Sequence, residues 1–214
     1  MEGIFAVFKP LGMTSHDVVD IIRKKTGVKR VGHGGTLDPL AEGVLVIAVG
    51  RENTKRLDEF VKGEKEYIAT VTLGQTSTTD DEEGNKQNVN IKIIPSKENI
   101  EKVSKLFVGN IMQTPPIYSS VKIAGKPAHR RVRAGQHVEL TPRPVTIHDI
   151  KIIEYAYPVL KLNVTTGPGV YIRSLARDLG EKLGTGGYLS HLLRSRVGTF
   201  TIKTAQPLPS KDIL

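Results

Sequence analysis

The chain has no cysteine and no tryptophan, and its longest uninterrupted apolar run is the short stretch Val44–Val49. The lack of cysteine excludes a disulfide scaffold, a thiolate zinc site, an iron–sulfur cluster and a cysteine nucleophile. The short apolar run excludes a membrane-spanning helix, which needs about 20 apolar residues. The N-terminus has no basic segment followed by a long apolar core, so we expect a protein that stays in the cytoplasm.

Aromatic residues are also scarce, with five Phe and six Tyr among 214 residues. A nucleic-acid surface built from many stacked rings is therefore excluded, and one or two tyrosines must do any stacking. The formal charge of +9 and a pI near 9.7 indicate a polyanionic partner such as nucleic acid. The 38% hydrophobic content is sufficient for a folded core.

The apolar pattern predicts strands and helices that are intermixed without regular strand–helix alternation. This favours an α+β fold around a mixed or mostly antiparallel sheet. The length is that of a single domain, 1–214. The clearest predicted elements are a helix that begins at Thr14 or Ser15 and ends at Gly27, the strands Val44–Val49 and Glu66–Leu73, and the helices Ser96–Phe107 and Val170–Leu183.

Several common catalytic and cofactor motifs are absent from the sequence. It has no phosphate-binding loop, no complete dinucleotide fingerprint, no zinc-protease motif and no serine-hydrolase elbow. We therefore expect no metal and no nucleotide cofactor. The acidic run Asp80–Glu83 has two interpretations, a solvated hairpin tip or a magnesium site for phosphodiester cleavage, and the Gly84-Asn85 pair that follows favours the tip.

One long segment, 122–147, is strongly basic and has only one acidic residue, Glu139. We expect it to be an arm inserted in the domain that contacts RNA phosphates, although a solvated connecting loop has the same composition. The cations of the segment that we expect on the RNA backbone are Lys126, Arg130, Arg131 and Arg133.

The segment Gly32–Gly43 reads GHGGTLDPLAEG and places three glycines shortly before its one aspartate, Asp38. The glycines permit unusual φ angles and close approach of other groups. Asp38 precedes Pro39, which keeps the chain extended or turned at that point. From the residues alone, Asp38 is either a catalytic carboxylate or a helix N-cap.

The longer segment GHGGTLDPLAEGVLVIAVG closely resembles the signature of the bacterial tRNA pseudouridine-55 synthases. Further blocks of this chain resemble the same family in the same order. They are Lys9–Ser15 (KPLGMTS), Lys65–Tyr67 with Leu73-Gly74, Tyr118–Lys122 (YSSVK), and Gly169–Leu175 (GVYIRSL) with Asp178–Gly180. The resemblance covers nearly the whole chain and implies the pseudouridine synthase fold.

The resemblance also implies site residues. Asp38 takes the place of the catalytic aspartate, Tyr67 that of the tyrosine that stacks on the target base, and Arg173 that of the arginine that pairs with the carboxylate. The positions that match residues around the flipped uridine are His33, Tyr171 and Leu192, the last with Leu193 as an equally apolar neighbour. Each position also has a structural interpretation: core packing for Tyr67 and Tyr171, a bond to loop backbone for His33, and an ion pair with Asp178 or Glu181 for Arg173.

The implied reaction isomerises uridine to pseudouridine at position 55 in the tRNA T-loop, which needs no cofactor. Asp38 would add to C1′, stabilise an oxocarbenium-like centre or remove a 2′ proton, and the sequence does not choose among these routes. Many bacterial members continue into a small C-terminal RNA-binding module, whereas this chain ends at Leu214, so we expect a short form, either natural or a piece of a longer chain. The bacterial-type blocks favour action on tRNA without a partner protein, and the lack of a heptad pattern or an obvious apolar patch favours a monomer. The rival hypotheses are a non-catalytic RNA-binding module and a nuclease that uses Asp80, Asp81 and Glu82.

Overall fold

The computed structural model describes residues 2–119, 121–123, 125–133 and 135–208. The helices are α1 Ser15–Thr26, α2 Arg51–Val61, α3 Lys97–Lys105, α4 Ala128–Arg133 and α5 Ile172–Lys182. The strands are β1 Gly3–Lys9, β2 Val31–Gly34, β3 Ala41–Val49, β4 Lys65–Leu73, β5 Gln75–Ser77, β6 Lys86–Asn88, β7 Gly109–Gln113, β8 Lys122–Ile123, β9 Lys126–Pro127, β10 Arg143–Ala156, β11 Val159–Thr166, β12 Gly187–Val197, β13 Phe200–Thr201 and β14 Gln206–Pro207.

The chain divides into two compact units. The first holds the chain up to Ile68, the stretch Thr165–Pro168 and the chain from Leu192 onward. The second holds Ala69–Val164 and Gly169–His191. Helices α1 and α2 therefore belong to the first unit, and α3, α4 and α5 belong to the second. In the described residues, no helix combines the length and the apolar character that crossing a membrane requires.

In the first unit, β3 lies at the centre of a mixed set of strands. It pairs antiparallel with β1 and β2 and parallel with β12, while β14 lies parallel to β1. Successive side chains of β3 point to opposite faces and pack in two hydrophobic clusters. Leu45, Ile47 and Val49 pack in the cluster that includes residues of α1. Val44, Val46 and Ala48 pack in the cluster that includes Leu57 of α2. Burial on both faces explains why β3 is continuously apolar from Val44 to Val49.

Helix α1 has signals in its own sequence at both ends. The Thr14 hydroxyl accepts a hydrogen bond from the Asp17 N–H, and the Asp17 carboxylate accepts one from the Thr14 N–H, which together form a capping box. Gly27 ends the helix in a left-handed conformation with φ 68°. The predicted start and end of this helix are both confirmed.

In the second unit, β10 pairs antiparallel with β7, with Arg143 opposite Gln113 and Ile147 opposite Gly109. The predicted helices near 96–107 and 170–183 are confirmed as α3 and α5, and Ser96 caps α3 through the Asn99 N–H. Two elements were not predicted from the sequence. The polar stretch 75–85 would be expected to be a loop, but β5 lies in it and pairs with β6. Helix α2 was not expected, because its sequence is mostly polar and Leu57 is its only buried residue.

Candidate active site

Asp38 lies in the loop that joins β2 to β3, in the first unit. Its carbonyl oxygen accepts a hydrogen bond from the Ala41 N–H at 3.0 Å, which closes a turn through Pro39. No helix follows this turn, because the chain enters β3 directly at Ala41. The helix N-cap interpretation of Asp38 is therefore wrong, and its side chain is half-buried.

The segment Lys9–Ser15 holds the Asp38 loop from one side. The Gly12 N–H donates to the Pro39 carbonyl at 2.8 Å. The Ser15 hydroxyl donates to the Leu37 carbonyl and accepts from the Leu37 N–H, each at 2.9 Å. Hydrogen bonds therefore fix the loop on both sides of Asp38, which gives the KPLGMTS block a physical role.

Arg194 of β12 holds the same loop from within the core. Its side chain is almost completely buried, yet its guanidinium donates to the carbonyl oxygens of Val44 and Gly35, both at 2.8 Å, and of Thr36 at 3.5 Å. A buried guanidinium needs such partners because an unpaired buried charge is strongly unfavourable. Arg194 also interacts electrostatically with Asp38.

Tyr67 of β4 lies at the same guanidinium. Arg194 forms a side-chain hydrogen bond with the Tyr67 hydroxyl, and the ring is only 6% exposed. Burial raises the pKa of the Tyr67 phenol, although Arg194 opposes the shift. The tyrosine is therefore neutral near pH 7. Arg194 thus links Tyr67 to the loop that carries Asp38, and both residues lie in one compact unit.

Two buried lysines add positive charge to this part of the unit. The Lys9 ammonium donates to the Pro10 and Met13 carbonyls at 2.9 and 2.7 Å, and Lys65 donates to those of Val61 and Gly63 at 2.7 and 3.1 Å. Burial lowers the pKa of each lysine to about 8, and Asp38 partly opposes this shift for Lys9. Arg194 lowers the pKa of both. The Asp38 carboxylate thus lies in a cationic environment.

His33 and Leu192 also lie in the first unit. His33 lies on β2, and burial, followed by the charges of Arg194 and His16, lowers its pKa below 6.5. Its Nδ1 atom is buried without a hydrogen-bond partner in the described part of the chain. Leu192 is 8% exposed, whereas Leu193 is only partly buried, so Leu192 is the inward-facing member of the pair.

Arg173 and Tyr171 lie in the second unit, at the start of α5. The Arg173 guanidinium forms an ion pair with Asp81 at 3.3 Å and donates to the carbonyls of Tyr118 at 2.9 Å and Thr79 at 3.3 Å. Tyr171 is the half-buried N-cap residue of α5, without a side-chain capping bond. The pairing of Arg173 with the Asp38 carboxylate stays a prediction.

The acidic run Asp80–Glu83 lies in the connection between the antiparallel strands β5 and β6, where Glu82 and Glu83 are exposed, as a solvated hairpin tip requires, but Asp80 and Asp81 are not. Asp81 is 2% exposed, and its carboxylate accepts from the Thr79 hydroxyl and pairs with Arg173. Asp80, with φ 61°, pairs with Arg177 at 2.7 Å. Burial raises the pKa of Asp80, and Arg177 opposes that shift. Both carboxylates are thus used to neutralise arginines of α5, which disfavours the nuclease hypothesis.

The basic segment contains the short pair β8–β9 and helix α4. The side chains of Lys126, Arg130 and Arg133 lie outside the described residues. Arg131 is half-buried, and its guanidinium lies 3.4 Å from the Gln136 side-chain oxygen. Contact of this segment with RNA stays a prediction.

Sequence reasoning did not identify Arg194, Lys9, Lys65 or Asp81 as parts of the sites. A signal for Arg194 was present, because residues two apart on a strand share a face and Arg194 follows Leu192 at that spacing. Lys9 and Lys65 belong to blocks that were noted without a role for the lysine. Asp81 carries no comparable local signal, because its ion-pair partner Arg173 is distant in sequence.

This chain is similar in sequence to known proteins over most of its length. The TruB family pseudouridylate synthase (N terminal domain) matches residues 23–172. The tRNA pseudouridine synthase B of Corynebacterium diphtheriae is 47% identical over 218 residues, which cover 97% of this chain and 71% of that protein.

Solved structures support the same fold. A Cbf5-Nop10-Gar1 complex contains a chain 31% identical to this one with a TM-score of 0.74, covering 96% of this chain and 52% of that chain. This chain therefore spans about half of that longer chain. A pseudouridylate synthase with 14% identity has a TM-score of 0.51, over 98% of this chain and 70% of its own, and shows the fold alone. The predicted α+β fold is confirmed, and this chain belongs to the TruB family of pseudouridylate synthases.

Proposed function

We propose that this chain isomerises uridine to pseudouridine in tRNA, at position 55 of the T-loop. The observation that carries the proposal is the placement of Asp38: its loop is held by Gly12, Ser15 and the buried Arg194. The same guanidinium bonds Tyr67. Asp38 and Tyr67 match, in the sequence, the catalytic aspartate and the base-stacking tyrosine of the pseudouridine synthase family.

The reaction breaks the N1–C1′ glycosidic bond, turns the uracil and rejoins it to C1′ through C5. The C5 hydrogen leaves as a proton and N1 takes up a proton, so the product is an isomer of the substrate and nothing is oxidised. The base must first leave its stack, which costs a few kcal/mol. Stacking on the face of Tyr67 supplies about 1–3 kcal/mol toward that cost.

Asp38 would act at the sugar or the base by one of three routes: addition to C1′, stabilisation of an oxocarbenium-like centre, or removal of a 2′ proton. Each route uses a carboxylate held still in a cationic setting. Hydrogen bonds on both sides of Asp38 supply the first requirement, and the electrostatic interactions with Lys9 and Arg194 supply the second.

The remaining predicted residues take supporting roles in this proposal. Arg173 pairs with the Asp38 carboxylate, and Tyr171 contacts the flipped uracil. His33 contacts the surroundings of that nucleotide, and Leu192 lines the uracil pocket. The buried ion pair with Asp81 and the bonds to two carbonyls support Arg173, because they fix its guanidinium in one orientation.

The substrate in this proposal is the T stem-loop of tRNA, bound by a chain that acts as a monomer in the cytoplasm. The net charge of +9 supports an RNA partner. Among structures similar to this chain is one described as an H/ACA RNP bound to a substrate RNA. Phosphate contacts from Lys126, Arg130, Arg131 and Arg133 would then supply much of the affinity.

An assay with RNA labelled by tritium at C5 of uridine tests the function directly. We expect the wild-type chain to release tritium to water from a tRNA transcript and from a T-arm hairpin, and to do so equally in EDTA. Binding without tritium release would indicate the non-catalytic RNA-binding module instead. Cleavage of the RNA that EDTA abolishes would indicate the nuclease.

A further inference from the structure

The segment that precedes α5 is held by two side chains that lie side by side on the adjacent strands β7 and β10. Gln113 of β7 and Arg143 of β10 are direct partners in the antiparallel register. Gln113 is only 2% exposed. Both side chains reach residues 169–171, although neither belongs to α5 or to the predicted site.

Gln113 fixes the backbone of Tyr171 at two points. The Tyr171 N–H donates to the Gln113 side-chain oxygen at 2.9 Å, and the Gln113 amide donates to the Tyr171 carbonyl at 3.1 Å. That carbonyl also accepts the N–H of Leu175, which begins the hydrogen bonding of α5. The glutamine therefore satisfies the backbone of a residue whose own side chain makes no capping bond.

Arg143 fixes the ring of the same residue. Its guanidinium carbon lies 5.0 Å from the centroid of the Tyr171 ring, which is cation–π distance. The guanidinium also donates to the Gly169 carbonyl at 2.9 Å, so its own position is set by the segment that it supports. Tyr171 is only half-buried, and without such a contact its ring would sample other rotamers.

We propose that Gln113 and Arg143 act together as positioning residues for Tyr171, the glutamine through its backbone and the arginine through its ring. This inference rests on the proposed contact of Tyr171 with the flipped uracil. Arg143 belongs to the basic segment, so contact with an RNA phosphate is the competing role. If Arg143 positions Tyr171, then replacing Arg143 affects the reaction only when Tyr171 is present. If Arg143 contacts a phosphate, then the replacement weakens RNA binding whether or not Tyr171 is present.

The test measures single-turnover rate at saturating tRNA, and the Kd for tRNA across a salt series. We expect Arg143→Met and Gln113→Leu each to slow isomerisation by about tenfold to a hundredfold, because small displacements of a reacting group have effects of this size. The Kd and its salt dependence stay at the wild-type values. In a Tyr171→Leu background, neither substitution slows the reaction further.

A matched control is present on the same two strands. The Thr146 hydroxyl donates to the Asn110 side chain at 2.8 Å, again between register partners. We expect Thr146→Val to leave the rate unchanged. Gln113→Glu serves as a second variant if Gln113→Leu does not fold, because it keeps the oxygen that accepts from Tyr171 and loses the amide donor.

Tyrosine labelling with fluorine gives a readout that does not depend on activity. In the free protein, we expect the 19F resonance of Tyr171, assigned with Tyr171→Phe, to shift in Arg143→Met and in Gln113→Glu but not in Thr146→Val. An unmoved resonance overturns the proposal. It is also overturned if Arg143→Met weakens tRNA binding and lowers the salt dependence to the same extent with and without Tyr171. If the wild-type chain forms no pseudouridine, the proposed function fails instead, and the resonance still reports the contact.

Discussion

Arg194 connects the two residues on which the proposed chemistry depends. Its buried side chain supplies donors to the backbone carbonyls of Gly35 in the loop and Val44 in β3, and to the Tyr67 hydroxyl. Burial lowers the pKa of Arg194, but the group stays charged because arginine starts from so high a value. One residue therefore supports both the position of Asp38 and the orientation of Tyr67.

Arg194→Met should lower the free energy of unfolding by about 3 kcal/mol or more, because buried carbonyls and a phenol lose their donor. Urea denaturation measures this change. The matched control is Arg196→Met on the same strand, where the lost ion pairs with Glu64 and Glu66 are 3.3 Å long and partly exposed. The control should lose less than about 1 kcal/mol. Equal losses at 194 and 196 would contradict the account of Arg194.

Lys9 gives a prediction about pH. Burial lowers its pKa from 10.5 to about 8, so between these pH values the unfolded chain holds a proton that the folded chain has released. Rising pH therefore favours the folded state in this window. The difference in unfolding free energy between wild type and Lys9→Met should be constant below pH 8 and then rise in favour of wild type. A difference that stays constant or falls across the window would show that Lys9 is not held in this way.

At the scale of elements, Gly43 permits the close approach of strands β3 and β12. Gly43 is the register partner of Arg194 in the parallel pairing of β3 with β12, and its φ is 109°. A Cβ atom at Gly43 would lie 2.3 Å from the Arg194 carbonyl oxygen. Glycine at this position therefore permits β12 to lie close enough to β3 for the Arg194 side chain to reach the Asp38 loop.

Gly43→Ala should destabilise the fold by at least about 3 kcal/mol, since the crowded atoms are backbone and cannot rotate away. Gly27→Ala is the control, because Gly27 also has a positive φ, 68°, but an added Cβ there meets no atom within 4 Å. The control should lose only about 1–2 kcal/mol, the cost of the left-handed conformation. If both variants lose the same amount, then backbone conformation rather than strand contact explains Gly43.

The elements that sequence reasoning found are those with signals of their own. Helix α1 has its cap at Thr14 and its stop at Gly27, and β4 alternates buried and partly exposed residues along its length. Helix α2 lacks such a signal. Most of its surface carries charged side chains, such as the ion pair of Lys55 with Glu52, and only one of its residues is buried. The burial of Asp81 was equally hidden, because it depends on Arg173, which is distant in sequence.

At the scale of the whole molecule, the charge of +9 predicts that RNA binding is strongly salt-dependent. Sequence similarity across nearly the whole chain assigned the family, whereas composition alone reached only a basic α+β protein. The site residues identified by that resemblance lie in both compact units, with Asp38 and Tyr67 in the first and Arg173 and Tyr171 in the second. The periodicity of apolar residues predicts helices and strands, but it does not predict which compact unit a site residue belongs to.

Replacing Arg130, Arg131 and Arg133 together by Gln should weaken tRNA binding and reduce the slope of log Kd against log salt by about 2–3, since each lost phosphate contact removes about 0.7–0.9. Fluorescence anisotropy with labelled tRNA measures both quantities. The control replaces three exposed lysines of α3, Lys97, Lys102 and Lys105, and removes the same charge. An equal change in both triple variants would mean that net charge, rather than the basic segment, determines the binding.

The most direct measurement compares wild type with Asp38→Asn in tritium release from a T-arm hairpin labelled at C5 of uridine. Asparagine keeps the shape of the side chain and removes its charge, so the loop held by Gly12, Ser15 and Arg194 should persist. We expect wild type to release tritium and Asp38→Asn to release none, with the same Kd for the RNA in both. Tritium release by Asp38→Asn at the wild-type rate would contradict the assignment of Asp38 as the catalytic carboxylate.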